Sequence, residues 1–175
     1  MGTHLIDMCR FMGLEFVQVC GMNEVYGKQR KSGEEIVTTT ANELCLFNAC
    51  FQNDSLGLFE LSRVSGGAEG MIFEIHGTKG SVRWEKNSIN SLKVYIPDKI
   101  CDGGVYKCID ANEILPYDYK WNHGFVQSDR FTLLFSDFLS NNENAPDFSD
   151  GLKCCEIVDA VLTSDREKRC VCLRP

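Results

Sequence analysis

The chain has 175 residues, 43% of them hydrophobic, 25% charged and 10% aromatic, with a formal net charge of −7. This globular composition excludes a disordered or collagen-like chain, and a pI near 5.0 argues against a nucleic-acid groove, which needs a basic patch. No apolar run approaches the roughly 18 residues of a membrane span, and the opening Met-Gly-Thr-His-Leu-Ile-Asp has no basic segment of a secretory signal, so a cytoplasmic location is expected.

The first predicted element is a helix over residues 1–12, where Leu5, Met8, Cys9 and Met12 recur at helical spacing and Gly13 provides a stop. His4 and Asp7 share a second, polar face of this helix. Residues 14–110 read as short strands: Glu15–Cys20, Leu44–Phe47, Leu56–Leu61, Met71–Ile75, Ser81–Trp84, Leu92–Ile96 and Val105–Cys108. Residues 28–35 read as a charged loop. Turn sequences such as Asn53-Asp54-Ser55 and Gly77-Thr78-Lys79-Gly80 between the strands imply antiparallel pairing. An aromatic-rich loop is expected over 111–123. A helix over 124–141 follows, with Phe131, Leu134, Phe135, Phe138 and Leu139 as its buried face. A last helix spans 150–168, capped by Ser149 or Asp150 and bearing Cys154, Ile157, Val158, Val161 and Leu162 on one stripe. Cys170–Leu173 closes the chain as a final strand. The result is an α+β fold: one domain, residues 1–175, built on an open, mostly antiparallel sheet of about six strands with helices packed on one face.

Ten cysteines are present. Cys154-Cys155 and Cys170-Val-Cys172 lack the C-x-x-C spacing of a structural zinc site, and His4, His76 and His123 are scattered, so no metal is expected. The thiols are read as free, small buried hydrophobes, because a chain of this size without an export signal does not need disulfides. The string Asn53-Asp54-Ser55 is also an N-glycosylation sequon, but its context is that of a hairpin turn.

No G-x-G-x-x-G, phosphate loop, G-x-S-x-G or H-E-x-x-H is present. Ser65-Gly66-Gly67-Ala68-Glu69-Gly70 has glycines at the wrong spacing and leads into a strand, where no helix dipole would meet a phosphate. Among the polar residues, His4 with Asp7 suits acid/base work: an imidazole titrates near neutrality, and a carboxylate one turn away can orient it or bind a substrate hydroxyl. The same pair also reads as the polar first turn of a surface helix.

Gly2-Thr3-His4-Leu5-Ile6-Asp7 followed by Arg10-Phe11-Met12-Gly13 resembles the opening of the C-terminal domain of the Gfo/Idh/MocA oxidoreductases. The resemblance continues in order through Phe59-Glu60-Leu61-Ser62-Arg63, the hairpin Glu74–Trp84, His123-Gly124 with the helix Phe131–Leu139, and Pro146–Leu152 with Asp159-Ala160-Val161-Leu162. These matches span nearly the whole chain. The resemblance implies the substrate-binding and oligomerisation half of an NAD(P)-dependent dehydrogenase acting on a sugar or polyol hydroxyl. NAD or NADP would be bound by an N-terminal Rossmann domain outside this chain, and no cofactor by the chain itself. It casts His4 as the catalytic histidine of an Asp-x-x-x-His pair whose aspartate would fall one residue before Met1. It casts Asp7, Arg63 and His123 as substrate contacts, and implies a homo-oligomer formed through the open sheet face. On this reading the chain looks truncated and is expected to be inactive alone. The alternative is a non-enzymatic carbohydrate-binding or assembly domain that lost its cofactor half.

Overall fold

The structure is a computed structural model that describes residues 2–67, 70–97, 104–110, 127–142 and 145–173. The chain divides into two compact units, residues 1–65 with 146–175, and residues 66–145.

The first unit contains helix α1 (Gly2–Phe11), strands β1 (Phe16–Glu24), β2 (Gln29–Ser32), β3 (Glu35–Thr38), β4 (Leu44–Phe51) and β5 (Leu56–Ser62), helix α3 (Phe148–Glu167) and strand β10 (Val171–Cys172). Its main sheet runs β10-β1-β4-β5, entirely antiparallel. Residues 28–35, expected as a loop, instead contribute to the β2–β3 hairpin. The charged side chains hid it: both strands are exposed on both faces, so no apolar alternation marks them.

The register settles the two faces of the main sheet. Val19, Ala49 and Gly57 lie side by side, as do Gly21, Phe47 and Phe59. This is the covered face: α3 lies across β1, and α1 lies against α3. A Cβ on Gly21 would stand 2.8 Å from Val161 Cγ1 and 3.0 Å from Val161 O, so glycine is what lets helix and strand approach this closely. The core is aromatic. Phe47 stacks on Phe59 with ring centroids 4.3 Å apart, and Phe16 meets Phe51 edge-on at 4.8 Å. Ile6, Cys9, Val19, Cys154, Ile157, Ala160 and Val161 complete it. On the opposite face, Gln18, Cys50 and Leu56 form one row, and Cys20, Asn48 and Leu58 the next. Leu56 and Leu58 are about four-fifths exposed there, at 79% and 81%.

The second unit holds the four-stranded antiparallel sheet β6 (Ile72–Gly77), β7 (Gly80–Glu85), β8 (Ser91–Pro97) and β9 (Gly104–Asp110), with helix α2 (Gln127–Leu139). The strands therefore fall into separate sheets rather than one sheet of about six. Phe131, Leu134, Phe135, Phe138 and Leu139, expected to be buried, are all exposed. Helical spacing identified the residues that share a face of α2; it carried no information on whether another element covers that face. The aromatic loop over 111–123 lies outside the described residues.

Two local expectations hold and one fails. The Asn53-Asp54-Ser55 string is the β4–β5 turn, with Asp54 at φ 62° and Asn53 Oδ1 accepting from Ser55 N at 3.2 Å. Cys154 is buried and free. Among the described residues the reading of the thiols as free and buried fails at Cys108, Cys155 and Cys172, which are exposed, and at one pair, because Cys20 and Cys170 form a disulfide. Strand pairing explains it. Gln18 faces Cys172 and Val19 faces Val171, so continuing the register sets Cys20 opposite Cys170. Their Cα atoms are 4.4 Å apart, the spacing of a non-hydrogen-bonded antiparallel pair. Residues 150 positions apart in sequence gave no local sign of this contact.

Candidate active site

Helix α1 buries Ile6 and Cys9 and turns His4 and Asp7 outward, both exposed. Of the expected stripe only Cys9 is buried: Leu5 and Met8 are half-buried, Met12 lies beyond the end of the helix at Phe11, and Ile6 takes the second buried place. Gly13, at φ 79°, stops the helix as expected, its N–H donating to Arg10 O at 2.8 Å.

Arg10 fixes the helix in place. Its Nη1 donates to Asp150 Oδ1 at 3.1 Å, and its Nε lies 3.5 Å from Glu15 Oε2. Burial alone would lower the guanidinium's pKa, but the hydrogen bond it donates to Asp150 and the charge of Glu15 outweigh this and raise the value. Asp150 belongs in turn to the capping box of α3. Asp147 is the N-cap, its side chain accepting from Ser149 N at 2.7 Å and Asp150 N at 3.2 Å, and Asp150 Oδ2 accepts from Asp147 N at 3.0 Å. The cap is thus Asp147, not Ser149 or Asp150, and one carboxylate ties the start of α3 to the end of α1.

Asp7 is also anchored to α3. Cys154 Sγ donates to Asp7 Oδ1 at 3.9 Å. Burial, and then the charge of Asp7, push the Cys154 thiol up, which keeps it protonated and a donor. One oxygen of Asp7 is thereby oriented, while the residue remains exposed to a ligand. His4 stands one turn earlier on the same polar face and is likewise exposed.

Arg63 lies just beyond β5, with its N–H donating to Glu43 O at 2.8 Å. It lines a hollow of about 520 Å³ with Gly2, Asn42, Glu43, Cys45, Leu61 and Ser62. The first turn of α1 and the end of β5 therefore converge. A neighbouring hollow of about 290 Å³ runs under Thr3 and Ile6 toward Val158 and Leu162. His123 lies outside the described residues.

Sequence reasoning missed Glu43 and Arg10. Glu43 is buried at 4% exposure, accepts from Gly27 N through Oε2 at 2.6 Å, and pairs with Arg30 of β2. Its only signal was a carboxylate directly before the apolar run of β4. Arg10 was read only as part of the Arg10-Phe11-Met12-Gly13 motif, with no partner assigned to it. Among the described residues there is no cluster of His, Cys, Asp and Glu that could hold a metal ion. The glycine segment before β6 leads into a strand and does not fit a dinucleotide, which needs its glycines to open a helix.

Residues 1–173 match the family described as "Oxidoreductase family, C-terminal alpha/beta domain". The levoglucosan dehydrogenase of Pseudarthrobacter phenanthrenivorans is 23% identical, over 94% of this chain and 48% of its own length. An oxidoreductase domain protein from Kribbella flavida superposes with a TM-score of 0.90 at 26% identity, covering all of this chain and 49% of its own. A levoglucosan dehydrogenase in complex with NADH and levoglucosan superposes at 0.87 with 24% identity, over 99% of this chain and 49% of its own. The chain spans about half the length of the relatives it matches.

Proposed function

The chain belongs to the Gfo/Idh/MocA oxidoreductase family as its C-terminal α/β domain, and from that premise we propose that it is the substrate-binding and pairing half of a dehydrogenase acting on a sugar or polyol hydroxyl. The observation that carries this reading is the exposed His4–Asp7 pair on α1, held by Cys154 and by the Arg10–Asp150 clamp. Asp7 accepts a hydrogen bond from a substrate hydroxyl, and His4 takes the proton from the hydroxyl being oxidised or returns it in reduction. Arg63, which lines the hollow of about 520 Å³ beside the first turn of α1, contributes a cation to ring hydroxyls, and His123 is a further proposed contact. The hydride acceptor is NAD or NADP, bound outside this chain, whose sequence contains no G-x-G-x-x-G. A related levoglucosan dehydrogenase has been solved with NADH, which supports a nicotinamide and a carbohydrate as the pair of reactants.

Pairing belongs to the open face of the main sheet. Met22, Leu56 and Leu58 are exposed together on the side away from α3, the kind of apolar patch that marks an interface. Among the described residues no helix is long and apolar enough to cross a membrane, and a cytoplasmic setting is part of the proposal.

The test is turnover by the complete protein that carries this chain, with a panel of sugars and polyols and both nicotinamides. His4→Ala is expected to lower kcat by about 10²–10⁴-fold while the melting temperature holds, because His4 is exposed. Sugar binding without turnover in the unaltered protein would favour the alternative, a carbohydrate-binding or assembly domain. For pairing, Leu58→Lys should convert a sedimenting dimer into monomer; an unchanged mass would place the interface elsewhere.

A further inference from the structure

We propose that the Cys20–Cys170 bridge is a reversible, glutathione-exchangeable tether that decides whether β10 occupies the edge of β1. Three observations lead there, none of which depends on the dehydrogenase reading. First, the bridge is reachable: Cys170 is exposed and Cys20 half-buried. Exposed disulfides are the ones that exchange with small thiols.

Second, apart from the bridge, β10 is held by a short ladder and by its packing on α3. It is two residues long, paired only at Gln18↔Cys172 and Val19↔Val171, with one further bond from Leu173 N to Val17 O at 2.9 Å. Beyond the bridge the ladder is already interrupted. The buried Ser164 hydroxyl stands between the strands, accepting from Gly21 N at 2.8 Å and donating to Arg169 O at 2.7 Å. That serine belongs to α3, so it stays with the core whether or not β10 is docked.

Third, the strand covers a sheet edge. With β10 in place, the outer backbone groups of β1 over residues 17–19 are paired; with β10 released they stand open to another chain. The exposed thiol of Cys172 and the half-buried thiol of Cys50 flank Gln18 on the same face, at 3.5 Å from Nε2 and 4.0 Å from Oε1, and both are free.

The chemistry is thiol–disulfide exchange with glutathione. A glutathione thiolate attacks one sulfur of the bridge, forming a mixed disulfide and releasing the other cysteine as a thiolate, which takes a proton. A second glutathione attacks the mixed disulfide and frees the second cysteine. Two glutathiones are oxidised to glutathione disulfide, and the bridge is reduced to two thiols; glutathione disulfide drives the reverse.

The experiment equilibrates the protein in buffers of graded glutathione to glutathione disulfide ratio, quenches with acid, alkylates and identifies labelled cysteines by mass spectrometry. Cys20 and Cys170 are expected to become labelled together as the ratio rises and to lose the label when glutathione disulfide is restored, with Cys172 labelled throughout. Hydrogen exchange of residues 170–173 should speed up at least about tenfold on reduction while residues 157–161 of α3 are unmoved. Cys170→Ser should match the reduced protein. Should that variant fail to fold, the titration of the unaltered chain still decides. Labelling of Cys20 and Cys170 in the most oxidising buffer overturns the proposal. So does a bridge that excess glutathione leaves intact, or equal exchange of 170–173 in both states.

Discussion

The two units are held together by different physics. In the first, α3 covers one face of the main sheet, and every buried residue among those described lies there, from Ile6 to Ser164. The second has none among its described residues, and its sheet is bound by backbone ladders and surface contacts. Arg83 reaches Glu74 and Glu85, Lys93 reaches Glu85 at 3.3 Å, Trp84 Nε1 donates to Ile89 O at 3.1 Å, and the Tyr95 and Tyr106 rings sit 4.9 Å apart. Exposed ion pairs stabilise little, since water screens them and ordering two long side chains costs entropy. Covering one face of a sheet turns alternating apolar residues into a core; pairing strands alone does not. The proposed catalytic pair stands on the first unit, where the helix that carries it is packed on that core.

Core truncation sharpens the contrast most. Phe47→Ala, which removes one of two stacked buried rings, should cost about 3–5 kcal/mol in urea unfolding. A loss below about 1 kcal/mol would mean that the aromatic cluster is not the keel of the first unit.

Next comes alkaline pH. Burial pushes the Cys9 thiol up to about 11. In the unfolded chain it ionises near 9, so the unfolded state loses protons first. Stability should be fully present below pH 9 and decline as pH rises toward 11, by about 2–3 kcal/mol for this group. Cys9→Ala should flatten that slope in pH-dependent unfolding, and an unchanged slope would assign it to other groups.

The second unit breaks in a different way. Gly80 sits at φ 146°, and a Cβ there would stand against the Tyr95 carbonyl. Gly80→Ala should cost about 1–3 kcal/mol, read as loss of amide protection in β6–β8 with α3 still protected. Loss of protection in both units together would show one cooperative body.

The smallest effect is expected at Phe135, 62% exposed on α2. Phe135→Ala should change stability by no more than about 0.5 kcal/mol. A much larger loss would reveal that something covers this face in solution.

The order and type of nearly all the elements were legible in the chain. Apolar segments set between turn sequences marked β1, β4 and β5, helical spacing marked α1, α2 and α3, and Asn53-Asp54-Ser55 marked a turn whose Asp54 takes a positive φ. His4 and Asp7 could be paired on one face because three residues span close to one helical turn. These features depend on neighbours in sequence, and so a sequence read in short windows determines them.

Contacts between distant positions had to await the fold. The faces of the main sheet could not be assigned until the register set Val19 beside Ala49 and Gly57, because both parities carry apolar residues. Cys20 with Cys170, Arg10 with Asp150, and Cys154 with Asp7 are joined across 140 or more positions. The apolar stripe of α2 was read correctly as a stripe and wrongly as buried, since periodicity says which side chains share a face and nothing about what lies opposite. Local propensity and spacing determine the elements; the tertiary structure alone decides their partners, because a partner's identity is a property of chain closure and not of any single segment.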